Sequence, residues 1–215
     1  MAMDTVTRNI NITAAARFDS DPSVSGKTLK QALQQQTGID GRRFSRLSLL
    51  AALGACNLRS RAAVCEDCAV YVATPFSSPS LFEKMTDNVL NHHAAMPFDF
   101  IANLHNAPAF HAAQALGSRG ASLVLAADNR PESWTQILRL AAASLHAERR
   151  IAVGWCYEQP KGQGGWEGSI WVLLEYARGQ GQQGFADPLN ITQTPGANST
   201  YWQGVADWLQ RLEAV

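Results

Sequence analysis

Residues 101–139 read IANLHNAPAFHAAQALGSRGASLVLAADNRPESWTQILR, and the fold turns on this stretch. Asn106 and Pro108 open a helix along which Ala109, Ala112, Ala113 and Leu116 recur at helical spacing, and Gly117 is a natural left-handed stop. Ser122, Leu123, Val124, Leu125, Ala126 and Ala127 form a short apolar run with turn signals on both sides. The run predicts a buried strand ending at Asp128 and Asn129. Pro131 suits the first position of a second helix, whose Trp134, Ile137, Leu138, Ala141 and Leu145 make one apolar stripe. A corner between the carboxyl end of a strand and the amino end of a helix is where α/β layers commonly place reacting groups. This corner is built like a nucleophile site.

Outward from it, the chain alternates strands and helices. On the amino-terminal side, residues 10–18 alternate loosely as a strand, 27–36 suit a short helix ended by Gly38, and Phe44, Leu47, Ala51, Gly54 and Leu58 form a helical stripe. Residues 69–73 read as a strand. Ser78 and Pro79 then start a helix whose Leu81, Phe82, Met85, Val89 and Leu90 are expected to face inward, followed by an aromatic, proline-bearing loop at 96–100. On the carboxyl-terminal side, 151–156 and 167–175 are apolar strands around a polar, Gly-rich turn at 161–165. A Gly/Gln/Pro-rich linker over 180–197 leads to a terminal helix, capped by Asn198 or Ser199, with Tyr201, Val205, Trp208, Leu209 and Leu212 on one face.

Composition narrows the classes of function. The 215 residues are 46% hydrophobic and 17% charged, which is ample for one core. Eighteen basic and eighteen acidic residues cancel, so nucleic acid is not expected as a principal partner, nor is an anionic membrane. No apolar run approaches the ~20 residues of a membrane span, and residues 1–11 are too polar for a signal peptide. Four cysteines without dense spacing point to a reducing, cytoplasmic setting. Cys65-Glu66-Asp67-Cys68 has the spacing of a zinc or dithiol motif, with His92 and His93 as conceivable further ligands. It runs straight into a strand and lacks a second ligand pair at short spacing, so it reads as a pair of loop cysteines, and neither a metal nor a cofactor is expected.

The run HNAPAFHAAQALGSRGAS, with the strand and helix after it, resembles β-ketoacyl synthases of the thiolase superfamily at Asn106, Ala107, Gly117, Gly120 and Leu123. The basic, Ser-containing lead at 42–46 and the pair of strands at 151–156 and 167–175 extend the resemblance over residues 10–179. It implies an α/β fold of a single thiolase-like half, a mixed sheet flanked by helices, with a ketosynthase amino-terminal-like domain at 1–179 and linker plus terminal helix at 180–215. The second half is expected to be absent.

The resemblance also implies a loss. The place of the nucleophilic Cys falls on Asn129, or one residue away on Asp128, and no Cys occurs between Cys68 and Cys156. None of the five His, at 92, 93, 105, 111 and 146, has the context of the family's catalytic pair. Claisen condensation needs a nucleophile to hold the acyl group and donors for the enolate, and an Asn cannot be acylated in that role. Asp128 and Asn129 suit a strained corner and a helix cap instead.

The expected role is therefore non-catalytic: a chain-length-factor-like subunit that forms a heterodimer with an active β-ketoacyl synthase and shapes its acyl tunnel in polyketide, aryl polyene or fatty-acid elongation. Phe98, Phe100, Ile101, His105, Phe110 and His111 are expected to line that region, and residues 122–127 to be the strand that pairs across the dimer. An acyl carrier protein would be engaged indirectly, through the catalytic subunit. Arg42, Arg43, Arg46, Arg149 and Arg150 offer a basic patch, which ordinary solvated charge also explains. Phe98, Phe100, Ile101 and Phe110 read equally well as ordinary core. A stand-alone homodimer binding an acyl or aromatic small molecule is the alternative; a hydrolase using Ser122 or Ser133 with His111 or His146 lacks any Gly-x-Ser-x-Gly elbow.

Overall fold

The computed structural model describes residues 10–128, 131–145, 150–162 and 165–176, with Asp207 and Gln210 beyond them. The strands are β1 (Ile10–Ser20), β2 (Ala69–Thr74), β3 (Ser122–Ala126), β4 (Arg150–Tyr157) and β5 (Glu167–Tyr176). They form one sheet in the order β1-β5-β4-β2-β3. β4, β2 and β3 run parallel, and β5 is antiparallel to both of its neighbours, β4 and β1. The carboxyl ends of β2, β3 and β4 therefore share one edge with the amino end of β5.

Alternation along the strands divides the core in two. Val70, Val72, Ala152, Cys156, Trp171 and Leu173 face a layer made by α1 (Gly26–Thr37), α2 (Arg46–Arg61) and α5 (Ala107–Leu116). Tyr71, Ala73, Val153, Trp155, Ile170 and Val172 face the other way, toward α6 (Pro131–Trp134) and α7 (Gln136–Ser144). Local signals set the helix ends. Ser25 and Ser45 accept the backbone N–H of Thr28 and Ser48 to start α1 and α2, while Gly38 and Gly117 close α1 and α5 in the left-handed region. α2 is buried over most of its length because it lies directly on β1 and β5. No helix among the described residues is long and apolar enough to cross a membrane.

Several expectations change. The helix at 79–92, α3 (Pro79–His92), has no buried residue: Phe82, Val89 and Leu90 stand 61, 55 and 67% exposed instead of facing inward. Its amphipathic pattern is real, but nothing among the described residues covers it. The expected loop at 96–100 is a short helix, α4 (Pro97–Ala102), begun by Pro97 in its first turn. Phe98, Phe100, Ile101 and Phe110 are not core either; all are more than half exposed. The strand at 122–127 reads as buried and also as the one that pairs across a dimer; in this chain it is an edge strand, with Ser122 and Ala126 exposed and Leu123, Val124 and Leu125 half-buried, since among the described residues β2 alone pairs with it; Ala127, just past its end, is buried. The helix after the corner is two short pieces broken at Thr135, though its stripe from Trp134 to Leu145 is buried as expected. Of the terminal helix only Asp207 and Gln210 are described, both helical and exposed.

Candidate functional site

The corner sits where the sequence places it, at the carboxyl end of β3. Ala127 is buried and donates its N–H to Thr74 O at 3.0 Å, and Asp128 donates its N–H to Ser133 Oγ at 2.9 Å, so Ser133 shapes the turn. Asn129 and Arg130 lie outside the described residues, as do His146 and Arg149. Trp155 Nε1 donates to Trp134 O at 2.9 Å and ties the far side of the corner to β4. The four thiols are placed elsewhere. Cys56 is in α2, Cys65 and Cys68 precede β2, and Cys156 lies within β4 facing the α2 layer. Burial pushes Cys56 up to about 11 and Cys68 up to about 12, and raises Cys156 too, so these thiols are poor sources of thiolate at neutral pH. Among the described residues no group of three or more His, Cys, Asp or Glu is arranged to hold a metal ion.

The six residues expected around a tunnel fall into two sets. Phe98, Phe100 and Ile101 project from α4, and Phe100 and Ile101 help to line an apolar pocket of about 450 Å³ with Met85, Val89 and Met96. Phe110 and His111 are on α5, where His111 stacks on Phe44 with ring centroids 3.5 Å apart and meets Phe110 edge-on at 5.3 Å. Burial lowers the His111 imidazole to about 4, with the Gln114 side chain opposing, so it is neutral at physiological pH. Arg43 lies 4.4 Å over the Phe98 ring and links α4 to the lead into α2. His105 is exposed between α4 and α5. Sequence reasoning missed the extent of this apolar surface, which also takes in Phe76, Phe82, Val89 and Leu90. A second, open groove of about 1120 Å³ runs beside α3, between Phe76, Phe82, Leu90 and Lys161.

The described arginines of the expected basic patch are engaged separately. Arg46 is drawn inward, donating from Nε and Nη2 to Glu167 Oε1 at 2.7 and 2.5 Å and to the carbonyl of Val24 at 2.7 Å. Glu167 is fully buried; burial raises its carboxyl above the ordinary range while Arg46 pulls it down. Arg150 pairs with Glu175 at 2.5 Å and Arg42 with Asp40 at 2.6 Å. Each cation has its own local structural work, and Arg149 is outside the described residues.

No family profile matches the sequence, and no curated protein matches it. Solved structures do. The ketosynthase (ApeO) in complex with its chain length factor (ApeC) from Xenorhabdus doucetiae aligns over 79% of this chain and 80% of the matched one, with TM-score 0.59 and 17% identity. The ishigamide ketosynthase/chain length factor aligns over 78% of this chain with TM-score 0.53 and 15% identity. AntDE:AntF, a type II acyl-carrier protein in complex with its ketosynthase, aligns over 79% with TM-score 0.57 and 12% identity. The chain spans 62% of the length of each of these last two. The mixed five-stranded sheet with its flanking helices is thus the ketosynthase-like α/β fold, matching a single half of the thiolase type.

Proposed function

We propose that the chain is a non-catalytic, chain-length-factor-like subunit that pairs with an active β-ketoacyl synthase and contributes to the wall of its acyl tunnel. The observation that carries this reading is the α3–α4 surface: Phe82, Val89, Leu90, Phe98, Phe100 and Ile101 are all more than half exposed, on helices with no fully buried residue among the described ones. An apolar surface of that extent marks a site of association. Among the described residues the half-exposed β3 pairs on one side alone, and a partner strand would extend the sheet there. The absence of a thiol between Cys68 and Cys156 supports a role without acyl transfer by this chain itself, and two of the structural likenesses are to ketosynthase and chain length factor pairs.

The pocket between Met85, Val89, Met96, Phe100 and Ile101 favours a second reading, a homodimer that binds an acyl or aromatic small molecule. Co-expression with a β-ketoacyl synthase separates the two. A 1:1 complex that Val124→Lys in β3 or Phe100→Asp in α4 dissociates is expected. A clean homodimer that ignores the ketosynthase and carries a ligand detectable by native mass spectrometry would replace this reading with the second.

A further inference from the structure

Among the described residues the α3–α4 segment has few ties to the rest of the molecule beyond the exposed Lys161–Glu83 ion pair at 3.8 Å and Arg43 over the Phe98 ring. α3 buries no residue, and the ion pair between Lys84 and Asp99 at 2.8 Å joins the two helices to each other, not to the sheet. Its amino end is different. Glu158 follows β4 directly and is 2% exposed. Its Oε2 accepts the Ser78 hydroxyl at 2.6 Å and its Oε1 accepts the Ser80 backbone N–H at 2.9 Å. Ser78 is the N-cap of α3 but its own side chain caps nothing, so the carboxylate of a residue eighty positions away takes the capping role.

The grip continues behind Glu158. The next residue, Gln159, donates its N–H to Glu167 Oε2 at 3.3 Å, and Glu167 is held in turn by Arg46 at the start of α2. One connected set of polar contacts therefore runs from α2 through the start of β5 and the end of β4 to the first turn of α3. Among the described residues Glu158 has no ion pair of its own. Burying a carboxylate is costly, and what offsets the cost here is the donor set and dipole at a helix start. A neutral or apolar side chain would suit a merely structural position at least as well.

We infer that Glu158 is a positioning residue that fixes the attitude of the α3–α4 arm on the sheet, and so the shape of the apolar face this chain offers. The inference rests on the reading of that face as the ketosynthase-docking surface for its functional meaning, but not for its test. Hydrogen–deuterium exchange of the full chain without partner decides it. Glu158→Ala is expected to raise exchange over residues 79–92 by about tenfold or more, with α2 and α5 unchanged. Glu158→Gln, which keeps the shape and one acceptor, is expected to raise it less. Ser78→Ala removes one of the two bonds and gives the same local pattern should Glu158→Ala fail to fold. Exchange rising evenly across the chain, or not at all over 79–92, would overturn the inference. Binding of the same variants to a co-expressed ketosynthase reports separately: wild-type chain that forms no complex ends the docking reading and leaves the exchange result standing.

Discussion

The indole Nε1 of Trp155 donates to the backbone oxygen of Trp134 at 2.9 Å, and this bond explains why the helix after the corner is broken. In an uninterrupted helix the Trp134 carbonyl would accept the N–H of Leu138. Leu138 donates instead to Thr135 O at 3.1 Å, and the sheet's indole takes the Trp134 oxygen. The two rings meet edge-on with centroids 6.4 Å apart and are fully buried. Trp155→Phe keeps most of the packing and removes the donor. A loss of about 1–2 kcal/mol is expected, which at this chain length is a fall of roughly 3–6 °C in Tm. Scanning calorimetry of the variant against wild type measures it, and an unchanged Tm would show that the bond does not hold the corner.

Trp171 is sandwiched in the other core. A Cβ on Gly154 would come within 2.6 Å of its ring, and one on Gly54 would reach it at 2.8 Å while also striking Ser169 Oγ. Ser169 Oγ donates to Leu50 O at 2.6 Å, so β5 and α2 cannot easily separate to make room. Gly54→Ala and Gly154→Ala are each expected to destabilise by about 3 kcal/mol, although alanine would favour the α2 helix if space allowed. Urea unfolding midpoints test this, and a variant that matched wild type would mean that the α2–β5 contact has slack.

Much of this was legible along the chain because its signals are local or strongly periodic. The runs at 151–156 and 167–175 could only be interior strands, and Gly38 and Gly117 close their helices as their positions imply. What periodicity cannot report is what covers an apolar face. Phe82, Val89 and Leu90 have the spacing of core residues, yet among the described residues each stays more than half exposed. β3 reads as interior from its composition, and only the family resemblance suggests a strand left for a partner; its place at the edge of the described sheet follows from strand order, a non-local property. Glu158 left no mark but its position, an acidic residue ending an apolar run, and its partners lie eighty residues earlier.

If the α3–α4 face belongs to a partner, its residues contribute little to the stability of the chain alone. Phe100→Ser and Leu90→Ser are expected to shift the unfolding free energy by no more than about 0.5 kcal/mol, far below the ~3 kcal/mol or more expected for a buried phenylalanine. The same substitutions are expected to weaken ketosynthase binding by at least tenfold, as centrally placed aromatic contacts do. Thermal unfolding and a titration monitored by fluorescence anisotropy give the two numbers. Large destabilisation with unchanged binding would place these side chains in a core rather than at a docking face.

His111 gives the fold a pH dependence whose sign follows from its burial. Its imidazole is lowered to about 4 in the folded chain against about 6.5 when unfolded. Between those values the unfolded chain binds the extra proton and the folded chain does not, so stability rises with pH through this window. The stabilisation is complete above about pH 6.5 and is lost as the pH falls toward 4, by about 2–3 kcal/mol for this one group. Protonation would also place a charge between the Phe44 and Phe110 rings, in a site that solvates it poorly. His111→Gln removes the titration, so its urea midpoint is expected to fall less than that of wild type between pH 7 and pH 4.5. Equal slopes for the two proteins would mean that His111 takes up its proton as readily in the folded chain as in the unfolded one.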